Sequence, residues 1–279
     1  WRILQIKNKN ADIIPIRSSR EYNELIGIKD TRFISTPSLS IYFLFFNTRK
    51  KPFNKLEVRK AIAHLINKKG VVKSIFQKLA INATTPLPPH IFGFNKKIND
   101  YSFDINKAKN LLEKAGYKKG FATTLHSSIG PIFLNNIVNR FILNAKKINI
   151  KINKKKLSFT ELREVANRGE HNLLILGWTA GPDPDLFLFP HFSLKKGNFN
   201  RSFYNNPVLV EILEKARETF SWPERKKLYL KAQEIIHRDV PCVPLFHLYI
   251  VKAFNSKIKN LKLNQLGFII FKDLYYKKK

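Results

Sequence analysis

The stretch Leu174-Ile175-Leu176-Gly177-Trp178-Thr179-Ala180-Gly181-Pro182-Asp183-Pro184-Asp185-Leu186-Phe187, followed by Asn200-Arg201-Ser202-Phe203-Tyr204-Asn205-Asn206-Pro207, decides how this chain folds. The first block is an apolar strand running into a turn of Gly, Pro and Asp; the second is a polar loop ending at a helix start. The continuous apolar run Leu173 to Leu176 predicts an interior strand. An aromatic and clustered acids at the end of such a strand mark the place where a protein of alternating strands and helices meets a ligand.

The neighbouring segments supply that alternation. Val58, Ala61, Ile62, Leu65 and Ile66 recur at helical spacing, and Asp104 predicts an N-cap for a helix whose apolar face is Ile105, Ala108, Leu111, Leu112 and Ala115 before Gly116 stops it. Ile137, Val138, Phe141, Ile142 and Ala145 form a third stripe, leading into Ile148-Asn149-Ile150-Lys151-Ile152, which alternates as a half-buried strand does. Asn206-Pro207 opens a helix with Val208, Leu209, Ile212, Leu213 and Ala216 inward. Ser221 and Glu224 have capping-box spacing for the next helix, which carries Leu228, Ala232, Ile235 and Ile236. The expected fold class is α/β, in layers.

Several blocks in a fixed order add a resemblance to this reading. Tyr42-Phe43-Leu44-Phe45-Phe46-Asn47 precedes Pro52-Phe53 and Val58-Arg59-Lys60-Ala61-Ile62-Ala63-His64-Leu65-Ile66-Asn67-Lys68. Pro86-Leu87-Pro88-Pro89, Phe103-Asp104 through Ala115-Gly116-Tyr117, Glu224-Arg225-Lys226-Lys227-Leu228-Tyr229 and Asp239-Val240-Pro241-Cys242-Val243-Pro244-Leu245-Phe246-His247 follow. With the Trp178 turn, this series resembles extracellular solute-binding proteins of family 5, the dipeptide, oligopeptide and nickel receptors of ABC importers. The resemblance runs from about residue 10 to the C-terminus.

It implies the C-terminal lobe of a two-lobe periplasmic binding protein of class II-like architecture, with most of the N-terminal lobe missing. The expected organisation is a remnant of the N-terminal lobe and hinge at 1–41, a ligand-binding lobe at 42–247 and a return segment at 248–279. The flanking pieces are expected to pack as a partial sheet or remain poorly ordered, and Trp1-Arg2-Ile3-Leu4-Gln5-Ile6 reads as a strand. The chain opens without Met or signal peptide, so a truncated or fragment form is expected.

What the resemblance implies for function is a monomeric, periplasmic substrate-binding component that closes on a peptide or related small solute and docks on an inner-membrane ABC permease. Its ligand-contacting positions would be Trp178, Thr179, Gly181, Asp183, Asn200 and Arg201, with Tyr42 and Asn47 flanking the hinge. Two departures bear on specificity: Gly181 stands where peptide-binding members carry the Asp that holds the ligand's amino group, and Leu125-His126-Ser127-Ser128-Ile129-Gly130 lacks the Arg that holds a dipeptide's carboxylate. Asp183 or Asp185 could replace the missing acid, or could form the turn.

Composition offers a rival. A net charge of +31 and a pI near 10.2 suit a basic nucleic-acid-binding protein. The basic clusters, such as Arg49-Lys50-Lys51, Lys68-Lys69 and Lys154-Lys155-Lys156, are instead scattered over expected loops and helix ends, where solvated surface is their ordinary meaning. Abundant Lys, Asn, Ile and Phe together mark an AT-rich genome. No zinc-finger, P-loop, H-E-x-x-H or G-x-S-x-G pattern occurs, so neither an enzyme nor a cofactor or metal is expected. Cys242 reads as a small core residue, and His191 and His247 as structural rather than ligating.

Overall fold

A computed structural model describes residues 1–130, 132–193, 199–264 and 266–277. In chain order the elements are α1 (Arg2–Lys7), β1 (Ile13–Ile16), α2 (Ser19–Leu25), β2 (Thr31–Phe46), α3 (Leu56–Leu65), α4 (Lys68–Val71), β3 (Ala80–Asn82), α5 (Ile105–Lys114), β4 (Phe121–Ser128), α6 (Ile132–Lys146), β5 (Ile150–Leu157), α7 (Phe159–Arg168), β6 (Leu173–Thr179), α8 (Asp185–Phe192), α9 (Pro207–Glu218), α10 (Trp222–Asp239) and β7 (Cys242–Asn255). Four two-residue strands follow: β8 (Ile258–Lys259), β9 (Lys262–Leu263), β10 (Ile269–Ile270) and β11 (Tyr275–Tyr276).

One mixed sheet runs β1-β7-β2-β6-β4-β5, with β3 added beside β7. β6 is interior, antiparallel to β2 from Ser40↔Thr179 to Phe46↔Leu173 and parallel to β4. Its period-two alternation divides the core. Leu173 and Ile175, with Leu44 and Phe46 from β2, face one cluster that holds Val58, Ile62, Leu112, Val138 and Phe141 from α3, α5 and α6. Leu174, with Phe43 and Phe45, faces a second cluster holding Phe187, Phe192, Leu213, Tyr229 and Ile236 from α8, α9 and α10. Both faces of the strands are therefore covered, which is why they read as unbroken apolar runs. Each buried aromatic removed from water contributes roughly 1.5 to 3 kcal/mol.

Helix ends largely follow the sequence. Asp104 accepts from Lys107 N at 2.8 Å, and Asn206 accepts from Leu209 N ahead of Pro207. Arg59, inside the Val-Arg-x-Ala-Ile block, is buried and donates to the carbonyls of Phe53, Asp239 and Val240, tying α3 to the end of α10.

Some expectations are corrected. Trp1 to Ile6 is helical rather than extended: Ile3 and Ile6, three apart, pack on the core while Leu4 is exposed. Ser221 makes no side-chain cap; the complete capping box is Ser158 with Glu161, at the start of α7. β5 begins at Ile150, because Asn149 takes a positive φ of 59° in the turn before it. Lys68 is not solvated but 5% exposed, with Nζ donating to Ala83 O and Pro244 O at 2.8 and 2.9 Å and paired with Asp100.

The 16-residue β2 and 14-residue β7 form a ribbon longer than the rest of the sheet. Its inner half, Ile41–Phe45 on Cys242–His247, belongs to the layered body; its outer half, Thr31–Pro37 on Tyr249–Asn255, runs on to pair with β1. Register shifts fall between Pro37 and Ile41 and between Tyr42 and Phe43. At the far side of the sheet β5 is an edge strand, carrying Lys151, Lys154, Lys155 and Lys156.

Candidate functional site

The parallel strands β4 and β5 end side by side at Ser128 and Leu157, β6 runs on to Thr179, and a ligand crevice in an α/β sheet lies beyond such carboxyl ends. A cavity of about 360 Å³ opens there, walled by Tyr42, Ile129, Phe159 and Trp178, with Ser40, Ser128 and Thr179 supplying hydroxyls. Beside it lies a larger cavity of about 810 Å³ between α2, α6 and the outer ribbon, lined by Arg17, Phe76, Ile132, Phe133, Asn136 and Tyr249. Leu248 touches both. Tyr42, stacked on Phe246 at 4.9 Å and edge-on to Phe133 at 5.5 Å, also stands between them. These volumes suit a small organic ligand.

Trp178 is fixed before any ligand arrives. Its Nε1 donates to Leu186 O at 2.9 Å, and its ring lies between His191 (4.7 Å, edge-on) and Phe199 (5.0 Å). With its donor engaged, the indole presents only an apolar face. His191 is fully buried; burial holds its imidazole down to about 4, neutral at pH 7, with Nδ1 near Phe199 O at 3.2 Å. Thr179 Oγ1 and Ser40 Oγ share a hydrogen bond of 2.8 Å across the strand ends. Gly181 has no side chain to offer, and a Cβ there would come to 3.0 Å from Leu186 Cδ1.

The two acids of the turn point elsewhere. Asp183 binds Arg225 through both oxygens at 3.0 and 3.1 Å and accepts from Asp185 N at 2.8 Å, so it is both a turn former and an ion-pair partner of α10. Asp185 lies 3.3 Å from Arg217 Nε on α9, and burial pushes its carboxyl above the usual range. Neither lines the two cavities.

Asn200 donates to Tyr204 O at 2.8 Å, which folds its loop toward α9. Arg201 is 5% exposed, hydrogen-bonded to Asn167 on α7, with its guanidinium 5.2 Å over Phe199. Burial and nearby Arg163 lower its pKa. Asn47 lies at the opposite end of β2, buried, donating to Gly169 O and His171 O at 2.9 and 3.1 Å and accepting from Arg49 N. Tyr42 sits at the second register shift.

The structure thus brings Tyr42, Trp178 and Thr179 to the edge of one cavity, with Tyr42 packed on the first core cluster and Trp178 on the second, and places Asp183, Asn200, Arg201 and Asn47 in supporting bonds. Sequence reasoning missed Ser40, Ile129, Phe133, Phe159 and Arg17. A signal existed for two of them, because Ile129 directly follows β4 and Phe159 opens α7 with Ser158 alone between it and the end of β5. Among the described residues no three His, Cys, Asp or Glu are placed to hold a metal, and no helix is long and apolar enough to cross a membrane.

Comparison with known proteins gives the family and the fold. Residues 2–200 match the bacterial extracellular solute-binding proteins, family 5 Middle, and the chain belongs to that family. Heme-binding protein A of Haemophilus influenzae is 31% identical over 97% of the chain, and a dipeptide-binding protein of Escherichia coli is 26% identical over 95%. The chain spans about half of each, 50% and 51%. HbpA2 of Haemophilus parasuis superposes with a TM-score of 0.93 at 26% identity, covering 99% of this chain and 56% of that one. The periplasmic binding protein DppA of Helicobacter pylori, in complex with the peptide STSA, gives 0.81 at 32% identity, covering 99% and 55%. The mixed α/β fold is that of periplasmic binding proteins, and the family is one of substrate-binding receptors.

Proposed function

We propose that this chain is the ligand-contacting portion of the substrate-binding component of an ABC importer, acting in the periplasm on a peptide or a related small solute and delivering it to an inner-membrane permease. The observation that carries the reading is the aromatic-walled crevice at the carboxyl ends of β4, β5 and β6, open beside a two-strand ribbon. Residues 42–247 would form the binding lobe. Residues 1–41 and 248–279 would lead across the ribbon, with Tyr42 at the bend and Asn47 securing the lobe end of β2. Closure of such a cleft around a ligand is a hinge motion.

The test is a thermal-shift and tryptophan-fluorescence panel of dipeptides, tripeptides, glutathione and haem. A true ligand at about 100 times its Kd stabilises the fold by roughly 2.7 kcal/mol, a readable rise in Tm. If no member of the panel shifts Tm or fluorescence at millimolar concentration, the receptor reading fails.

A further inference from the structure

The charge of the crevice is one-sided. No Asp or Glu lines either cavity among the described residues, and the two acids nearest the Trp178 turn are tied to Arg225 and Arg217. Among the described residues the only charged side chains on the cavity walls are Arg17 and Arg20. Arg20 pairs with Glu24 at 2.9 Å. Arg17 is exposed; its backbone N–H donates to Glu21 Oε2 at 2.7 Å, that carboxylate being paired with Arg2, and the Arg17 guanidinium has no ion pair among the described residues. The other described residues of the walls offer a hydroxyl, an amide or an apolar face.

On the basis of the receptor reading, we infer that the ligand is an acid with an extended apolar body, held through its anionic group near Arg17 and without recognition of an ammonium by this side of the crevice. An ammonium brought against these walls would lose its water and find no carboxylate, a loss of roughly ten- to a hundredfold in affinity for want of one charge-assisted bond. A carboxylate meets the opposite situation, since an unpaired guanidinium offers it a two-pronged partner. The apolar body would lie along Phe133, Leu248 and Tyr42.

Three forms of one dipeptide separate charge from shape: Phe-Ala, its N-acetyl derivative and its C-terminal amide, titrated at pH 7 into the 279-residue chain in 0.5 M salt. At that ionic strength the Debye length is about 4 Å, so the general attraction of a basic protein for anions is screened. The expected result is that N-acetyl-Phe-Ala binds at least as tightly as Phe-Ala, that the amide binds at least tenfold more weakly, and that R17Q narrows the preference at least threefold. Equal affinity for all three, or a tenfold preference for the parent or the amide, overturns the inference while leaving a receptor. If none of the three binds, the inference falls, and the wider panel above decides whether the receptor reading falls with it.

Discussion

Lys68 and Asp100 give the sharpest test of the fold, because one atom exchange in Asp100→Asn strands a charge. The Lys68 side chain is 4% exposed and its partner's 21%, with two carbonyls completing the ammonium's shell. Burial pulls the lysine below its usual range and Asp100 opposes that pull. Removing one member of a buried pair costs about 3 to 5 kcal/mol, since the remaining charge keeps its desolvation penalty. In a chain of this size that lowers Tm on the order of 10 °C. Lys68→Met removes the charge as well, and the freed Asp100 reaches water, so it should cost less than Asp100→Asn. The pH dependence has a definite sign. A lysine whose folded pKa lies below its unfolded value binds fewer protons in the native state, so stability rises with pH through that window. The deficit of Asp100→Asn should therefore shrink as pH is raised from 7 to 10. Urea unfolding followed by circular dichroism measures it. A deficit below about 1 kcal/mol at pH 7, or one flat with pH, would falsify the buried pair and the fold around it.

His191 and His247, both buried, have imidazoles held down by burial to about 4 and about 3, so their contribution is complete above about 6.5 and is lost as pH falls through that window. Tm should fall from pH 8 to pH 4.5, and His191→Asn should flatten the slope; an unchanged slope refutes the assignment. Asn47→Ala should cost about 2 to 4 kcal/mol by leaving the Gly169 and His171 carbonyls unpaired, with ligand affinity per folded molecule unchanged; a stable variant with altered affinity would move Asn47 into the binding site. The chain should retain DNA in a steeply salt-dependent way with no preference among sequences, read by filter binding at 50 and 200 mM salt; tenfold discrimination between sequences would restore the nucleic-acid reading.

The layered fold was legible wherever burial had a period. The stripe Val58, Ala61, Ile62, Leu65 and the run Leu173 to Leu176 lie where spacing put them, because both faces of the sheet are covered and every position has one possible side. Short segments were not legible. Six residues such as Trp1 to Ile6 fit a strand or one and a half helical turns, and only the packing of Ile3 and Ile6 chooses. At Ser221 the capping residues are present in sequence but the side chain makes no cap, whereas Ser158 and Glu161 make both bonds. Of the candidate site, Trp178 and the strand end were readable from composition. The opposite walls were not, because Arg17, Phe133 and Leu248 come from elements brought together only by the ribbon. Nor could sequence show that Asp183 and Asp185 are already engaged, since their partners lie 42 and 32 residues away.

The lysines of β5 bear on how so basic a chain stays dispersed. An outermost strand exposes unpaired amide and carbonyl groups that invite another molecule's strand to dock, and a row of ammonium groups along it makes that docking repulsive. Lys151, Lys154, Lys155 and Lys156 occupy that margin, while Ile150 and Ile152 turn inward. At this edge the lysine excess of the sequence therefore works against strand-to-strand association.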